Sequence, residues 1–211
     1  MDLVRACFLD DVEYDSKKDE QLAAKIKIWI EDDIEKQICF VRGRDKEGQA
    51  ILSIMARTDC STDSEAFLYL ILFVMERAIA TTEQSSVGNL EKIMVVLDFG
   101  SFKASVAPSL ADAKAVLMIL QHNYPERLRR LVILDPPLWL RTVYGLVSPF
   151  LDPLTKQKFI VCSGQTRKQA ILSEYVESNQ AMPFMIPDGK LTEKVDISRY
   201  LKNVPFQQGY D

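Results

Sequence analysis

The sequence predicts an α/β domain with a mostly parallel sheet, because apolar strand-like runs alternate with segments of helical periodicity. Two continuous apolar runs, residues 93–97 and 131–134, are typical of parallel strands covered on both faces. Residues 107–123 are rich in Ala, Leu and Met and are predicted as the crossover helix between these strands. At 211 residues and 47% hydrophobic, the chain is long enough for one sizeable core, or for a core plus a small helical lobe.

The first part of the chain supplies two further helices and a strand pair. Apolar residues recur at helical spacing through residues 18–37, which predicts an amphipathic helix with one apolar stripe. Residues 39–41 and 51–55 flank a turn rich in glycine and charge, so we expect a hairpin-like strand pair. Residues 62–82 are predicted as a second helix, whose inner face carries Phe67, Leu70, Ile71, Val74, Met75 and Ala78.

The most informative segment is residues 137–148, a predicted helix that is apolar in nearly every direction. Only Arg141, Thr142 and Ser148 are markedly polar. Such a helix needs a hydrophobic partner on both sides. The core can supply one side, and the other must be solvent, another protein, a bound apolar ligand or a membrane. A plain buried helix is the alternative interpretation.

Composition excludes several classes of partner. The formal charge of -4 and the pI of about 5.2 disfavour nucleic acid. Cys7, Cys39, Cys60 and Cys162 lack C-x-x-C spacing, so we expect reduced thiols of an intracellular protein and neither disulfides nor zinc. No apolar run approaches the ~20 residues that span a bilayer. The acidic start predicts no secretory signal, and no metal or cofactor is expected.

Enzymatic alternatives lack their motifs. Neither a G-x-S-x-G nucleophile elbow nor a G-x-G-x-x-G loop occurs, and the glycines of residues 43–48 are followed by Gln49 where a phosphate-binding loop needs Lys. His122, the only histidine, is expected to cap a helix or make a surface contact. Asp98 follows a predicted parallel strand, where carboxylates often serve chemistry, but without a partner motif we expect it to anchor a loop. The sequence therefore predicts a protein that is not an enzyme.

A basic cluster at Arg127, Arg129 and Arg130 has two interpretations. The arginines could face membrane phosphates, which is worth ~1 kcal/mol for each exposed cation near an anionic surface. They could instead complete the dipole of the helix before them, which the sequence favours.

Several motifs together resemble the CRAL-TRIO lipid-binding family, which includes the phosphatidylinositol/phosphatidylcholine transfer proteins. They are the helix end NYPERL, the strand and two prolines after it, the apolar helix, the segment PFLDP and the strand at residues 158–162. Residues 43–51 resemble the opening hairpin of the family, and residues 92–102 its central strand. The resemblance implies a remnant of an N-terminal helical lobe at residues 1–36 and the lipid-binding domain at residues 37–211.

The resemblance also implies a function. The sheet would form the floor of an apolar cavity, and the helix at residues 137–148 would be a gate that swings outward on a membrane. Pro136 and Pro137 favour a helix start, while Gly145 offers a hinge. The implied ligand is a glycerophospholipid such as phosphatidylinositol or phosphatidylcholine, carried by a cytoplasmic protein that docks transiently on membranes. Additional domains could supply protein partners.

An alternative keeps the fold but closes the cavity. The domain would then be an interaction module in membrane trafficking or small-GTPase regulation.

The implied ligand contacts combine apolar residues with a few polar groups for the lipid head. The apolar residues are Leu138, Trp139, Val143, Leu146, Val147 and Phe150 on the gate, with Val96 and Ile133 on the floor. Thr142 stands where phospholipid-binding members carry hydroxyl residues, and it could equally bond back to its own helical turn. Glu177 and Lys202 are the nearest matches to headgroup residues of inositol-lipid binders. Asp135 departs from the Asn of many members.

Overall fold

The computed structural model describes residues 16–56, 63–86, 90–100, 118–151, 153–193, 196 and 200–201. It contains a five-stranded sheet flanked by helices. The strands are β1 (Cys39–Arg44), β2 (Ala50–Met55), β3 (Ile93–Asp98), β4 (Leu128–Leu134) and β5 (Phe159–Cys162). The helices are α1 (Lys17–Glu35), α2 (Ser64–Ser85), α3 (Trp139–Val147), α4 (Pro153–Gln157) and α5 (Gln165–Tyr175). Residues 118–123 are also helical and form the end of the predicted crossover helix, whose beginning lies outside the described residues.

The strands lie in chain order across the sheet, from β1 to β5. The β1–β2 pair is antiparallel, and each later strand is parallel to the strand before it. Because parallel connections are right-handed and every strand follows its neighbour, the connecting helices belong on one face of the sheet. We call this the gate face. The predicted mostly parallel sheet and the hairpin are confirmed.

The two faces of the sheet carry separate cores. On the gate face, α1 and α2 pack on β1, β2 and β3 around Ile30, Leu52, Val74 and Val95. The opposite face, which we call the back face, packs against α5 and the chain after it, through residues that include Met94, Val132, Leu134, Leu172 and Met185. Since α1 shares its core with α2 and the sheet, it is an integral part of this layer. The domain division after residue 36 stays a prediction.

Helix boundaries follow local capping. The Ser16 hydroxyl accepts a hydrogen bond from the amide of Asp19 (3.2 Å) at the start of α1. The Asp63 carboxylate accepts from the amides of Glu65 (2.9 Å) and Ala66 (3.2 Å), which starts α2 two residues later than predicted. Helix α3 begins at Trp139 and is followed by a 3-10 turn at Ser148–Phe150.

The chain after α5 closes the outer edge of β1. The Tyr200 hydroxyl accepts a hydrogen bond from the amide of Val41 (2.9 Å), and the Gln180 side-chain oxygen accepts from the amide of Arg44 (3.1 Å). The guanidinium of Arg77, a residue with no exposed surface, lies 3.5 Å from the Tyr200 ring centroid and donates to the Tyr200 carbonyl. Strand amides that would otherwise be open to pairing are therefore satisfied within the chain.

Candidate ligand site beneath helix α3

Helix α3 starts over the carboxyl ends of the central strands. The ring of Trp139 meets the ring of Phe99 edge-on, with centroids 6.1 Å apart, and Phe99 directly follows β3. The amide of Leu140 donates to the carbonyl of Pro137 (3.0 Å), which closes the first turn. The beginning of the helix is thus held by an aromatic contact next to the sheet edge.

The middle of α3 lies near the amino end of the last strand. The rings of Tyr144 and Phe159 are tilted against each other, with centroids 5.8 Å apart, and Phe159 is the first residue of β5. The helix therefore crosses the gate face from the end of β4 to the start of β5. By strand register, the gate-face residues of the last two strands include Ile133 on β4 with Phe159 and Val161 on β5, while Leu131 on the same face packs against the core of α1 and α2.

Large apolar side chains remain exposed on the helix and on this floor. Leu138 is 83% exposed and Leu146 is 52% exposed, while Val161 on β5 is 49% exposed. Burying such side chains would release roughly 1.5–3 kcal/mol each. Among the described residues, the region around α3 therefore combines an apolar floor with an apolar outer surface.

The structure separates the predicted gate residues into three groups. Trp139 faces Phe99, whereas Leu138, Thr142 and Leu146 are exposed to solvent. The side chains of Val143, Val147 and Phe150 lie outside what the structure describes. Ile133 lies on the gate face and is 6% exposed.

The two predicted floor residues point to opposite faces of the sheet. Val96 pairs in register with Val132, and Ile133 pairs with Leu97, so the side chains of Val96 and Ile133 cannot share a face. Val96 is completely buried in the back-face core, next to α5. Side chains alternate between the two faces along each strand. Which residues of two separate strands share a face depends on the register between the strands, and neither strand sequence specifies that register.

Sequence reasoning missed the floor residues contributed by the last strand. Phe159 and Val161 lie beside Leu131 and Ile133 through the β4–β5 register. Their signal was the alternation within β5, where Ile160 and Cys162 pack on the back face. Once the residues of β4 have been assigned to faces, this alternation predicts which residues of β5 face the floor.

The predicted headgroup residues are not brought to the start of α3. The carboxylate of Glu177 lies 3.4 Å from the amine of Lys46, in the turn between β1 and β2. That turn precedes β2 and lies at the amino ends of the parallel strands, whereas Trp139 lies at their carboxyl ends. Lys202 lies outside the described residues.

A charged cluster sits at the root of α3. The Asp135 carboxylate accepts a hydrogen bond from the amide of Gly164 (3.1 Å) and pairs with the amine of Lys168. Asp98 is 8% exposed and accepts from the amide of Gly100 (3.1 Å), the loop-anchoring contact predicted for it. Burial raises the pKa of the Asp98 carboxyl, against the lowering effects of the Gly100 amide and the Lys168 charge.

The raised pKa of Asp98 predicts a pH-dependent stability. A carboxyl whose pKa is higher in the folded state loses stability as the pH rises from its ordinary range through the folded value. Asp98→Asn removes this loss. The free energy of unfolding of the variant, minus that of the parent, should therefore increase between about pH 4 and about pH 7. Urea titrations at both pH values measure the difference, with Asp188→Asn on the surface as control. A difference that shrinks toward pH 7 would contradict the prediction.

Each arginine of the basic cluster has a partner within the chain, and both sequence interpretations of the cluster stay predictions. Arg127 pairs with Glu83 (3.2 Å), and Arg129 makes two hydrogen bonds to Glu47 (2.9 and 3.1 Å). The guanidinium of Arg130 lies 4.1 Å from the ring centroid of Tyr175. The arginines are therefore engaged within the chain, at the amino ends of the strands.

The remaining candidates occupy structural positions. The Nδ1 atom of His122 lies 2.8 Å from the carbonyl oxygen of Met118, which is the predicted helix-end contact. Cys39 and Cys162 are free buried thiols whose pKa is raised by burial, while Cys7 and Cys60 lie outside the described residues.

The described part of the chain has neither a membrane-spanning helix nor a cluster of metal ligands. None of its helices combines the length and the hydropathy that a membrane span requires. Within the same residues, no three His, Cys, Asp or Glu side chains are grouped as a metal site.

The fold and the site define a class: an α/β domain in which a helix crosses an apolar part of the sheet. The chain belongs to the CRAL/TRIO domain family, whose model matches residues 34–184. The predicted family and fold are confirmed, and the membership supports hydrophobic ligand binding as the class of function.

Individual proteins show the same relationship. The chain is 28% identical over 149 residues to the phosphatidylinositol transfer protein PDR17 of Saccharomyces cerevisiae, covering 68% of this chain and 41% of PDR17. It is 25% identical over 176 residues to Patellin-3 of Arabidopsis thaliana, covering 78% of this chain and 35% of Patellin-3. The chain thus spans less than half the length of these relatives. The crystal structure of Sfh5 matches with a TM-score of 0.54 at 16% identity, covering 80% of this chain and 55% of Sfh5, which supports the fold alone.

Proposed function

We propose that this protein binds one glycerophospholipid, of the phosphatidylinositol or phosphatidylcholine type, between α3 and the gate face, and transfers it between membranes. The observation that carries the proposal is the half-exposed Val161 on the floor beside a helix whose own Leu138 and Leu146 are exposed. An acyl chain on this floor would gain ~0.8 kcal/mol for each buried methylene. Outward movement of α3 would expose the floor and present the apolar helix to a membrane interface.

The comparisons support the same class of ligand. PDR17 is by name a phosphatidylinositol transfer protein, and its similarity covers 68% of this chain. We infer from it a non-enzymatic carrier that works in the cytoplasm and docks on membranes as a peripheral protein. Glu177, the predicted headgroup residue, pairs with Lys46 at the amino ends of the strands, away from the start of α3.

Native mass spectrometry of the purified protein, followed by organic extraction, tests the proposal. We expect one phospholipid per chain, and exchange of that lipid with labelled vesicles of phosphatidylcholine and phosphatidylinositol. A protein that is always empty and takes up no lipid from either vesicle would contradict the proposal. That outcome would favour the interaction module with a closed cavity.

Gly145 gives a test of the gate movement. It lies inside α3, and a Cβ there would meet no atom within 4 Å, so Gly145→Ala fits without a clash. Alanine is the better helix former by about 1 kcal/mol, so we expect a higher free energy of unfolding and slower lipid exchange from a stiffer gate. Thermal melts and vesicle exchange rates measure the two effects.

The matched control for Gly145→Ala is Ser173→Ala, an exposed position on α5. The control should raise stability slightly because alanine also replaces a weaker helix former. Its exchange rate should equal that of the parent. Faster exchange by Gly145→Ala than by the parent would refute the gate role of this helix.

A further inference from the structure

We propose that Asp135 and Lys168 form a latch at the root of α3, and that this latch opens when α3 moves away from the sheet. The inference rests on the proposed function, because it assigns the control of the same gate to two residues outside the ligand floor. It makes both of them positioning residues.

The latch joins three elements through one side chain. Asp135 follows β4 directly, and its amide donates to the carbonyl of Cys162 at the end of β5 (2.9 Å). One carboxylate oxygen accepts from the amide of Gly164 (3.1 Å), before the first turn of α5, and the other pairs with the amine of Lys168 inside α5. The start of the gate segment is therefore tied to a helix that packs on the back face.

The Asp135–Lys168 ion pair is less exposed to solvent than the Lys46–Glu177 pair. The side chain of Lys168 is 10% exposed and that of Asp135 is 32% exposed. Asp98 lies close enough for its carboxyl to respond to the charges of both residues. Loss of Asp135 would therefore leave a largely buried ammonium without its direct partner, a costly state that favours a closed latch.

The backbone couples the latch to the helix. Asp135 has φ +48, in the left-handed region that few non-glycine residues adopt, and Pro136 follows it. A residue before proline ordinarily takes an extended conformation, so the three contacts of Asp135 hold it in an unfavourable one. Pro136 and Pro137 fix their own φ angles, so a change in the backbone angles of Asp135 would turn the stiff Pro-Pro segment and the helix after it. Rotation there would carry the carboxylate away from Gly164 and Lys168.

Trp139 reports this movement directly, because it begins α3 and contacts Phe99. The chain has two tryptophans, so Trp29→Phe leaves Trp139 as a single fluorophore. In this background, Asp135→Asn keeps an acceptor oxygen and tolerates the positive φ, but removes the charge. Lys168→Met removes the charge from the other side. Lys46→Met, which breaks the pair with Glu177 elsewhere, is the matched control.

The quenching of Trp139 fluorescence by acrylamide, measured without lipid, reports how far α3 has moved away from the sheet. We expect Asp135→Asn and Lys168→Met each to raise the quenching constant at least about twofold, and the double variant to go no further, because the two residues share one interaction. Lys46→Met should leave the constant unchanged. Equal quenching in the parent and in both latch variants would overturn the proposal, as would additive effects in the double variant.

Hydrogen exchange of the unmodified protein covers the case in which a variant fails to fold. On adding phosphatidylcholine vesicles, the amide of Gly164 should exchange faster together with the amides of α3. Faster exchange in α3 with an unchanged Gly164 would also overturn the latch. If the protein takes up no lipid but both latch variants show increased quenching, the transfer function is wrong and the latch is supported.

Discussion

Gly43→Ala is expected to lower the free energy of unfolding by about 3 kcal/mol, because two costs add at this position. Gly43 has φ +75, a conformation that alanine adopts only with strain. A Cβ at this position would also overlap the backbone carbonyl of Gln180, which belongs to the segment covering the edge of β1. A backbone atom cannot rotate aside as a flexible side chain can. Urea unfolding followed by circular dichroism measures the loss.

Gly164→Ala separates the two costs. Gly164 has a similar φ of +82, but a Cβ there would meet no atom within 4 Å. With ψ 142, its backbone also lies in a region that alanine adopts only with strain, so this variant should lose only the conformational part, about 1–3 kcal/mol. If Gly43→Ala loses no more than Gly164→Ala, the close approach of the C-terminal segment to β1 is wrong.

Val161→Glu is expected to reduce lipid uptake at least about tenfold while leaving the fold intact. Val161 lies on the floor beneath α3, next to Ile133, and an acyl chain lying there would have to desolvate the new carboxylate. The half-exposed position keeps the cost to the free protein within about 0.5 kcal/mol. Uptake of a fluorescent phosphatidylcholine and urea unfolding measure the two quantities separately.

Ile28→Glu is the matched control for this substitution. Ile28 is 65% exposed on α1, and the same change of side chain there should alter neither uptake nor stability appreciably. Normal uptake by Val161→Glu would place the ligand elsewhere.

The secondary structure was predictable because each element carries a local signal. The stripe of α1 places Ile26, Ile30 and Ile34 on one side, and all three are completely buried. The apolar runs of β3 and β4 are parallel strands between two helical layers. Boundaries differ by a few residues, since capping by Asp63 and the 3-10 turn after α3 depend on backbone geometry that periodicity does not report.

The site was predictable only in part. The sequence identified α3 as unusual because its composition lacks a polar face, a property of one contiguous segment. It could not assign Val96 and Ile133 to faces, because that requires the register between two strands distant in sequence. It also placed Arg127, Arg129 and Arg130 in one group, whereas their partners Glu83 and Glu47 come from other elements.

By itself, the sequence determined the family, the mostly parallel sheet and the apolar helix after β4, because these depend on contiguous motifs and on periodicity. The tertiary structure alone decided which apolar side chains form the floor and which carboxylate meets Lys168. Those choices depend on strand register and on the approach of α5 to Asp135. Contacts between distant segments form only when the whole sheet is assembled, so no single segment encodes them.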